Sequence, residues 1–185
     1  KGEAAAWQSS LQNSRLDEGV SAFIKAINNA PDEVKEDLIE EAKEQIAYGL
    51  SKCDLLKISE EELEFMTGTK DVKEGAHMLL KQYPGIKVMN VTMGKEGSIS
   101  FHEGKEVFQA PFLQENTIET TGAGDTFGAC ALNYVLEHGI TGLTEENLQE
   151  MLCFANGASS LITTKKGALR VMPEKQEVLD FIANK

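Results

Sequence analysis

The residues best suited to chemistry lie together at 120–125, where the sequence reads Thr-Thr-Gly-Ala-Gly-Asp. Gly122, Ala123 and Gly124 carry almost no side-chain bulk, so their backbone N–H groups can converge on one point. A helix is predicted to begin here, over residues 125–138, and its dipole makes that point attractive to an anion. Asp125 adds a carboxylate, which we expect the same N–H groups to hold and orient. Phosphoryl transfer needs this pairing of an anion site with a base.

A second interpretation of the same loop needs no ligand. In it, Asp125 only caps the helix and the two glycines only turn the chain, since short glycine-rich loops are common. The loop is not of the G-x-x-x-x-G-K-[S/T] type, because no lysine follows its second glycine. It is not G-x-G-x-x-G either. Spacing alone therefore leaves both interpretations open.

The elements that must position this loop alternate between helices and strands. Helical periodicity or caps predict helices at 20–27, 32–50, 59–68, 71–82, 125–138, 144–161 and from Pro173 onward. Apolar stretches predict strands at 53–58, 87–93, 98–102 and 105–110, the last two forming a hairpin around Glu103-Gly104. Ser59 and Glu62 fit a capping box, and Gly68 is expected to end that helix. The predicted class is an α/β sheet flanked by helical layers.

Composition excludes several classes of partner. The 185 residues are 41% hydrophobic and 26% charged, which is ordinary for a soluble domain, and the formal net charge is −12. That charge repels nucleic acid and anionic lipid, so neither is an expected partner. No apolar run is long enough to span a bilayer and no signal peptide is recognisable, so a cytoplasmic protein is expected. The cysteines, Cys53, Cys130 and Cys153, are predicted to be buried thiols.

Four segments carry a resemblance to a known family, and they follow the chain order of that family's motifs. They are residues 55–68 with Ser-Glu-Glu-Glu, residues 91–97 with Val-Thr-Met-Gly-Lys-Glu-Gly, residues 119–127 around the glycine loop, and residues 154–168 with Asn156. Together they resemble the motifs of PfkB-type (ribokinase-like) carbohydrate kinases, and the 55–68 segment is most similar to the fructokinase version. The resemblance covers about residues 51 to 182.

The resemblance implies a role for each matching residue. Asp125 falls on the catalytic base, and Gly122, Ala123 and Gly124 fall on the anion hole for the γ-phosphoryl group of ATP. Glu62 matches the acid that helps to organise Mg²⁺ through water. The positions along the nucleotide are Ser59, Thr92, Gly94, Gly97 and Asn156.

Residue chemistry alone gives two of these positions a plainer interpretation. Glu62 stands in an acidic helix, where a solvated carboxylate is the ordinary outcome. Asn156 stands inside a helix, where an asparagine is more often a satisfied polar residue than a ligand.

The match also has departures. Ser59 stands where many relatives have Asn. Glu119 replaces the usual Asp, and Val171 replaces a hydroxyl residue, which leaves the monovalent-cation site of some relatives doubtful here. The longer, sugar-binding and lid part that relatives carry upstream is missing or unrecognised, and it often forms their homodimer contact. We therefore assign residues 35–185 to the nucleotide-binding catalytic part and leave residues 1–34 as an unassigned helical segment.

The expected activity is ATP-dependent phosphorylation of a sugar hydroxyl, with fructose converted to fructose 6-phosphate as the first candidate. A catalytically silent nucleotide-binding module, or a kinase of another sugar or a nucleoside, are the alternatives. The match requires the nucleotide positions to border one cleft at the carboxyl ends of the parallel strands. Gly124 is expected to be the sensitive position, because a side chain there would displace phosphate and strain the backbone.

Overall fold

The computed structural model describes residues 29–185, which fall into two compact units that divide after Lys52. In the first unit, helix α1 spans Asp32–Leu50, as the periodicity predicts. Leu38, Ala42 and Leu50 are buried at four- and eight-residue intervals, which is the spacing of one helical face. The helix predicted at 20–27 lies outside the described residues. The domain boundary after residue 34 stays a prediction.

The second unit, Cys53–Lys185, is built on a four-stranded sheet with its strands in the order β1-β2-β3-β4. These strands are β1 (Leu55–Ser59), β2 (Val88–Thr92), β3 (Ser98–His102) and β4 (Lys105–Gln109). Strands β1 and β2 are parallel and end side by side, with Ser59 opposite Thr92. The other two pairs are antiparallel. Glu103 and Gly104 join β3 to β4 with φ angles of 48° and 78°, a combination that suits a two-residue hairpin turn.

Five helices of this unit lie on the two faces of the sheet or beside it. They are α2 (Glu60–Thr67), α3 (Val72–Gln82), α4 (Ala123–His138), α5 (Glu145–Ile162) and α6 (Lys175–Ala183). Short 3-10 helices span Gly94–Glu96 and Leu169–Val171. Across residues 29–185, no helix is both long and apolar enough to cross a bilayer.

The two faces of the sheet carry separate helical layers. Val88 and Val107 belong to one buried cluster with Phe127 of α4 and Leu152 of α5. On the opposite side, α2 contacts β1 and β2, and α3 contacts β2. Strand residues alternate between faces, so each strand supplies both layers. This arrangement confirms the α/β class with helical layers.

Helix boundaries follow their caps. The Ser59 hydroxyl accepts from the Glu62 N–H at 3.2 Å while the Glu62 carboxylate accepts from the Ser59 N–H at 2.8 Å, which confirms the predicted capping box. Gly68 ends α2 in the left-handed conformation at φ 76°, also as predicted. Helix α4 differs, because it begins at Ala123 rather than Asp125, with Gly122 as the N-cap residue at φ 82°.

The three cysteines are free and partly buried. Burial raises the pKa of the Cys130 thiol to about 11, and it also raises the pKa of the Cys53 and Cys153 thiols. They were predicted to be buried thiols, but none of them is fully enclosed.

Candidate active site

The loop before α4 is anchored to the end of α5. The backbone N–H groups of Ile118 and Glu119 both donate to the Thr163 carbonyl oxygen, at 2.8 and 3.2 Å. The Glu119 carboxylate accepts a hydrogen bond from the Gly167 N–H at 3.2 Å. Glu119 therefore ties together the two loops that flank the start of α4.

Gly122 is the residue that turns this loop into the helix. Its φ of 82° lies in the left-handed region, which side chains with a Cβ disfavour. A Cβ at this position would also lie 2.9 Å from the Cβ of Ala168. Both the backbone conformation and the available space therefore call for glycine at 122.

The first turn of α4 leaves donors for an anion. The Ala123 N–H donates to the Thr120 carbonyl oxygen at 3.1 Å, and the Thr126 N–H donates to the Gly122 carbonyl oxygen at 2.8 Å. Within residues 29–185, the N–H groups of Gly124 and Asp125 have no backbone acceptor before the helix. These two N–H groups, at the positive end of the helix dipole, are available to accept an anion as a ligand.

Asp125 is the third residue of α4, and its side chain is exposed. The helix has no side-chain cap, so the interpretation of Asp125 as a capping residue is wrong. We also expected local N–H groups to hold the carboxylate, but the described part of the chain supplies it with no hydrogen bond or ion pair. The carboxylate is therefore exposed and unpaired beside the free N–H groups of the first turn.

A cavity of about 390 Å³ opens beside this helix end. The structure brings six of the sequence-predicted residues to its wall: Thr92, Gly94, Gly97, Ala123, Gly124 and Asn156. The other four, Ser59, Glu62, Gly122 and Asp125, are not part of the wall. One shared cleft therefore gathers the nucleotide positions, with Ser59 as the exception.

Gly97 lies in the cavity wall, immediately before β3. Its φ is 103°, and a Cβ here would overlap the carbonyl oxygen of Gln109. The backbone of the turn after β2 can therefore approach the end of β4 only through a glycine.

Asn156 shapes the wall with its amide group already engaged. Its side-chain oxygen accepts from the Ser98 hydroxyl at 3.1 Å, and its side-chain nitrogen donates to the carbonyl oxygens of Gln109 and Ala110 at 3.3 and 3.4 Å. The residue is only 9% exposed. These contacts join α5 to β3 and to the end of β4. Asn156 is thus a hydrogen-bonded structural residue, as residue chemistry alone suggested.

Residues that the sequence interpretation missed complete the wall. Ser159, Ser160 and Thr163 line the cavity, three, four and seven positions after Asn156, and that spacing on one helical face could have revealed them. The Ser159 hydroxyl donates to the Ala123 carbonyl oxygen at 2.9 Å, and the Ser160 hydroxyl donates to the Phe112 carbonyl oxygen. Residues 111–114 also line it, and nothing in their own sequence indicated this role.

The structure changes one part of what was expected of Gly124. It lies inside α4 and has no left-handed backbone, so the predicted backbone strain is wrong. A Cβ on Gly124 would instead lie 2.9 Å from the Nζ of Lys57. The space beside Gly124 is thus taken by a lysine side chain from β1.

Comparison with known proteins decides the family. The sequence profile described as pfkB family carbohydrate kinase matches residues 2–175. The chain belongs to the pfkB family. This match begins well before residue 51, so it extends further toward the N-terminus than the motifs recognised above.

Relatives and solved structures agree with the pfkB assignment. The chain is similar to the Arabidopsis thaliana protein named probable fructokinase-2, with 37% identity over 147 residues, 77% of this chain and 43% of that protein. It is similar to fructokinase-1 of Zea mays, with 35% identity over 77% of this chain and 44% of that protein. The chain thus spans less than half the length of these relatives.

Two solved pfkB-type structures share the fold. The fructokinase of Vibrio cholerae O395, in its fructose, ADP and calcium-bound form, superposes with a TM-score of 0.66 and 26% identity, covering 80% of this chain and 46% of that one. Arabidopsis thaliana ribokinase, complexed with ribose and ATP, gives a TM-score of 0.59 and 31% identity, covering 74% and 43%.

The chemistry of this pfkB site suits a Mg²⁺ ion held mainly by a nucleotide. Among residues 29–185, no group of three or more metal-ligating side chains is close enough to hold an ion by itself. Mg²⁺ needs only one or two carboxylates when phosphates and water supply the remaining ligands. Glu62 can offer one carboxylate oxygen, since the other accepts from the Ser59 N–H, and Ser59 ends β1 beside Thr92 of the cavity wall.

Proposed function

We propose that this chain forms the ATP-binding, catalytic part of an ATP-dependent sugar kinase, with fructose as its substrate and fructose 6-phosphate as its product. The start of α4 carries this proposal. There, two unpaired backbone N–H groups and the unpaired carboxylate of Asp125 lie within one helical turn, beside a cavity. An anion site next to a base is the minimum that transfer of a phosphoryl group to a hydroxyl requires.

In the proposed reaction, Asp125 takes the proton of the sugar hydroxyl while the hydroxyl oxygen forms a bond to the γ-phosphorus of ATP. The bond between that phosphorus and the oxygen bridging to the β-phosphate breaks, and ADP leaves with that oxygen. The N–H groups of Gly124 and Asp125, with the positive end of α4, stabilise the charge on the moving phosphoryl group. Glu62 would help to hold Mg²⁺, which would offset the charge of the phosphates.

The cavity is proposed to hold the nucleoside part of ATP. Phe112, Leu113 and Pro111 give it apolar wall area, and the hydroxyls of Thr117 and Thr163 give it polar groups. Asn156 supports this wall with both ends of its amide group already hydrogen-bonded. Adenine recognition would therefore rest on shape and on backbone groups, with Asn156 as a positioning residue.

Fructose is proposed from similarity, not from contacts within this chain. Two relatives, at 37% and 35% identity, are named as fructokinases, and a fructokinase with bound fructose shares the fold. Similar folds also occur in an aminoimidazole riboside kinase of Salmonella enterica, at a TM-score of 0.65 and 23% identity, so the fold alone does not choose the acceptor.

A coupled assay of ADP release tests the proposal. The chain is incubated with Mg²⁺ and ATP against fructose, glucose, ribose and adenosine, with Asp125→Asn as the inactive control. We expect fructose to give the highest kcat/KM and the variant to give none above background. If adenosine or ribose outcompetes fructose, the substrate is wrong. If ATP binds but no acceptor is phosphorylated, the chain by itself is the silent nucleotide-binding module.

A further inference from the structure

Lys57 brings a positive charge from the sheet to the start of α4. It lies in β1, three positions after Asp54, and its side chain is half-buried. Its Nζ is 2.9 Å and its Cε 3.5 Å from the point where a Cβ on Gly124 would lie. Gly124 borders the cavity and carries one of the free N–H groups, so the ammonium group lies beside the start of α4.

This ammonium group has no anionic partner within residues 29–185. Other lysines of the same unit do have one: Lys73, Lys87 and Lys165 lie 2.8 to 2.9 Å from carboxylate oxygens. Lys57 also does not use its neighbour on β2, Asn90, whose buried side-chain oxygen has no hydrogen-bond partner in the described part of the chain.

Lys57 places a positive charge beside the N-terminus of α4. The N-terminus of a helix carries roughly half a positive charge. A half-buried ammonium group beside it adds a like charge in a place that water screens only partly. No ion pair joins the Asp125 carboxylate to Lys57 within the described residues. An anion at the start of α4 would satisfy the lysine and the free N–H groups together.

We propose that Lys57 is a further substrate-binding residue, whose ammonium group contacts the γ-phosphoryl group of ATP at the start of α4. This inference rests on the proposed function, since it takes the anion to be a nucleotide phosphate. The γ-phosphoryl is the relevant group because it is the one that must lie next to Asp125 for transfer. A lysine at this point supplies a compact charge that follows the phosphoryl as it moves.

Calorimetric titration of the chain with ATP and with ADP, each with Mg²⁺, tests the inference. Lys57→Met keeps most of the side-chain volume and removes the charge. We expect it to weaken ATP binding by about tenfold or more, the usual range for a lost charge-assisted hydrogen bond, while ADP affinity stays within about twofold. Lys57→Arg keeps the charge and should retain most of the preference for ATP over ADP.

Two controls separate this role from a general effect of charge or folding. Lys87→Met makes the same change in net charge at the opposite end of the sheet, where Lys87 pairs with Asp54, and should leave both affinities unchanged. Without nucleotide, Lys57→Met should not lower the urea midpoint, because the lysine has no partner to lose. A lower midpoint would indicate a structural role and overturn the inference.

The outcomes distinguish the two proposals. If Lys57→Met weakens ATP and ADP equally, or neither, Lys57 does not contact the γ-phosphoryl, although the nucleotide site stands. If the unchanged chain binds neither nucleotide, the proposed function fails and the role of Lys57 fails with it.

Discussion

Replacing Gly122 by alanine tests how the start of α4 is built. Gly122 has a φ of 82°, and a Cβ there would lie 2.9 Å from the Ala168 Cβ. The left-handed conformation costs a non-glycine residue about 1–2 kcal/mol. The contact with Ala168 adds an overpacking cost of about 1–3 kcal/mol. We therefore expect Gly122→Ala to lower the free energy of unfolding by about 2–5 kcal/mol, adding these two ranges.

Gly68→Ala is the matched control, because Gly68 ends α2 in the same left-handed conformation, with φ 76° and ψ 1°, and has open space around it. It should lose only the conformational part, about 1–2 kcal/mol. Urea unfolding followed by circular dichroism measures both variants, and their slopes should agree. Adding Ala168→Gly to Gly122→Ala should recover part of the difference between them. Equal losses in the two single variants would refute the contact, and no loss in Gly122→Ala would refute the cap geometry.

Three further predictions concern the site and its surroundings. Asp125→Asn should lower kcat by about 10²–10⁴-fold and leave ATP affinity nearly intact, measured by kinetics and calorimetry; an unchanged kcat would exclude Asp125 as the base. Ser59→Ala should cost about 1 kcal/mol of stability through the lost cap, whereas Glu62→Gln keeps an acceptor for the Ser59 N–H and should instead raise the Mg²⁺ concentration needed for ATP binding; equal stability losses would argue against a separate metal role. Burial raises the pKa of Cys130 to about 11, so its reactive thiolate is scarce at pH 8 and increases as the pH approaches that value. Iodoacetamide followed by mass spectrometry should modify Cys153 before Cys130 at pH 8, and the reverse order would contradict this.

The sequence was sufficient to predict those features whose geometry depends on one short segment. The capping box of Ser59 and Glu62, the stop at Gly68 and the hairpin turn at Glu103-Gly104 each depend on residues within a few positions of one another. Their hydrogen bonds and dihedral angles are local, so the sequence specifies them without reference to the rest of the chain. The same holds for the alternation of strands and helices that predicted the α/β class.

At the glycine loop, the structure corrected where the helix begins. Its residue types indicated an anion site beside a carboxylate, but the residue that starts the helix proved to be Gly122 rather than Asp125. The start of α4 depends on Ala168, which fills the space beside Gly122 and comes from a loop more than forty residues later. That contact follows only from the tertiary packing.

The sequence by itself determined the elements, the family motifs and the set of residues that could bind a nucleotide. The tertiary structure decided which of their polar groups remain unused. Asn156 is engaged by Ser98 and by the end of β4, whereas Asp125 keeps its carboxylate unpaired. Lys57 reaches Gly124 across 67 positions of sequence. Hydrogen bonds and charges between distant segments depend on how the sheet and helices pack, and no local pattern carries that information.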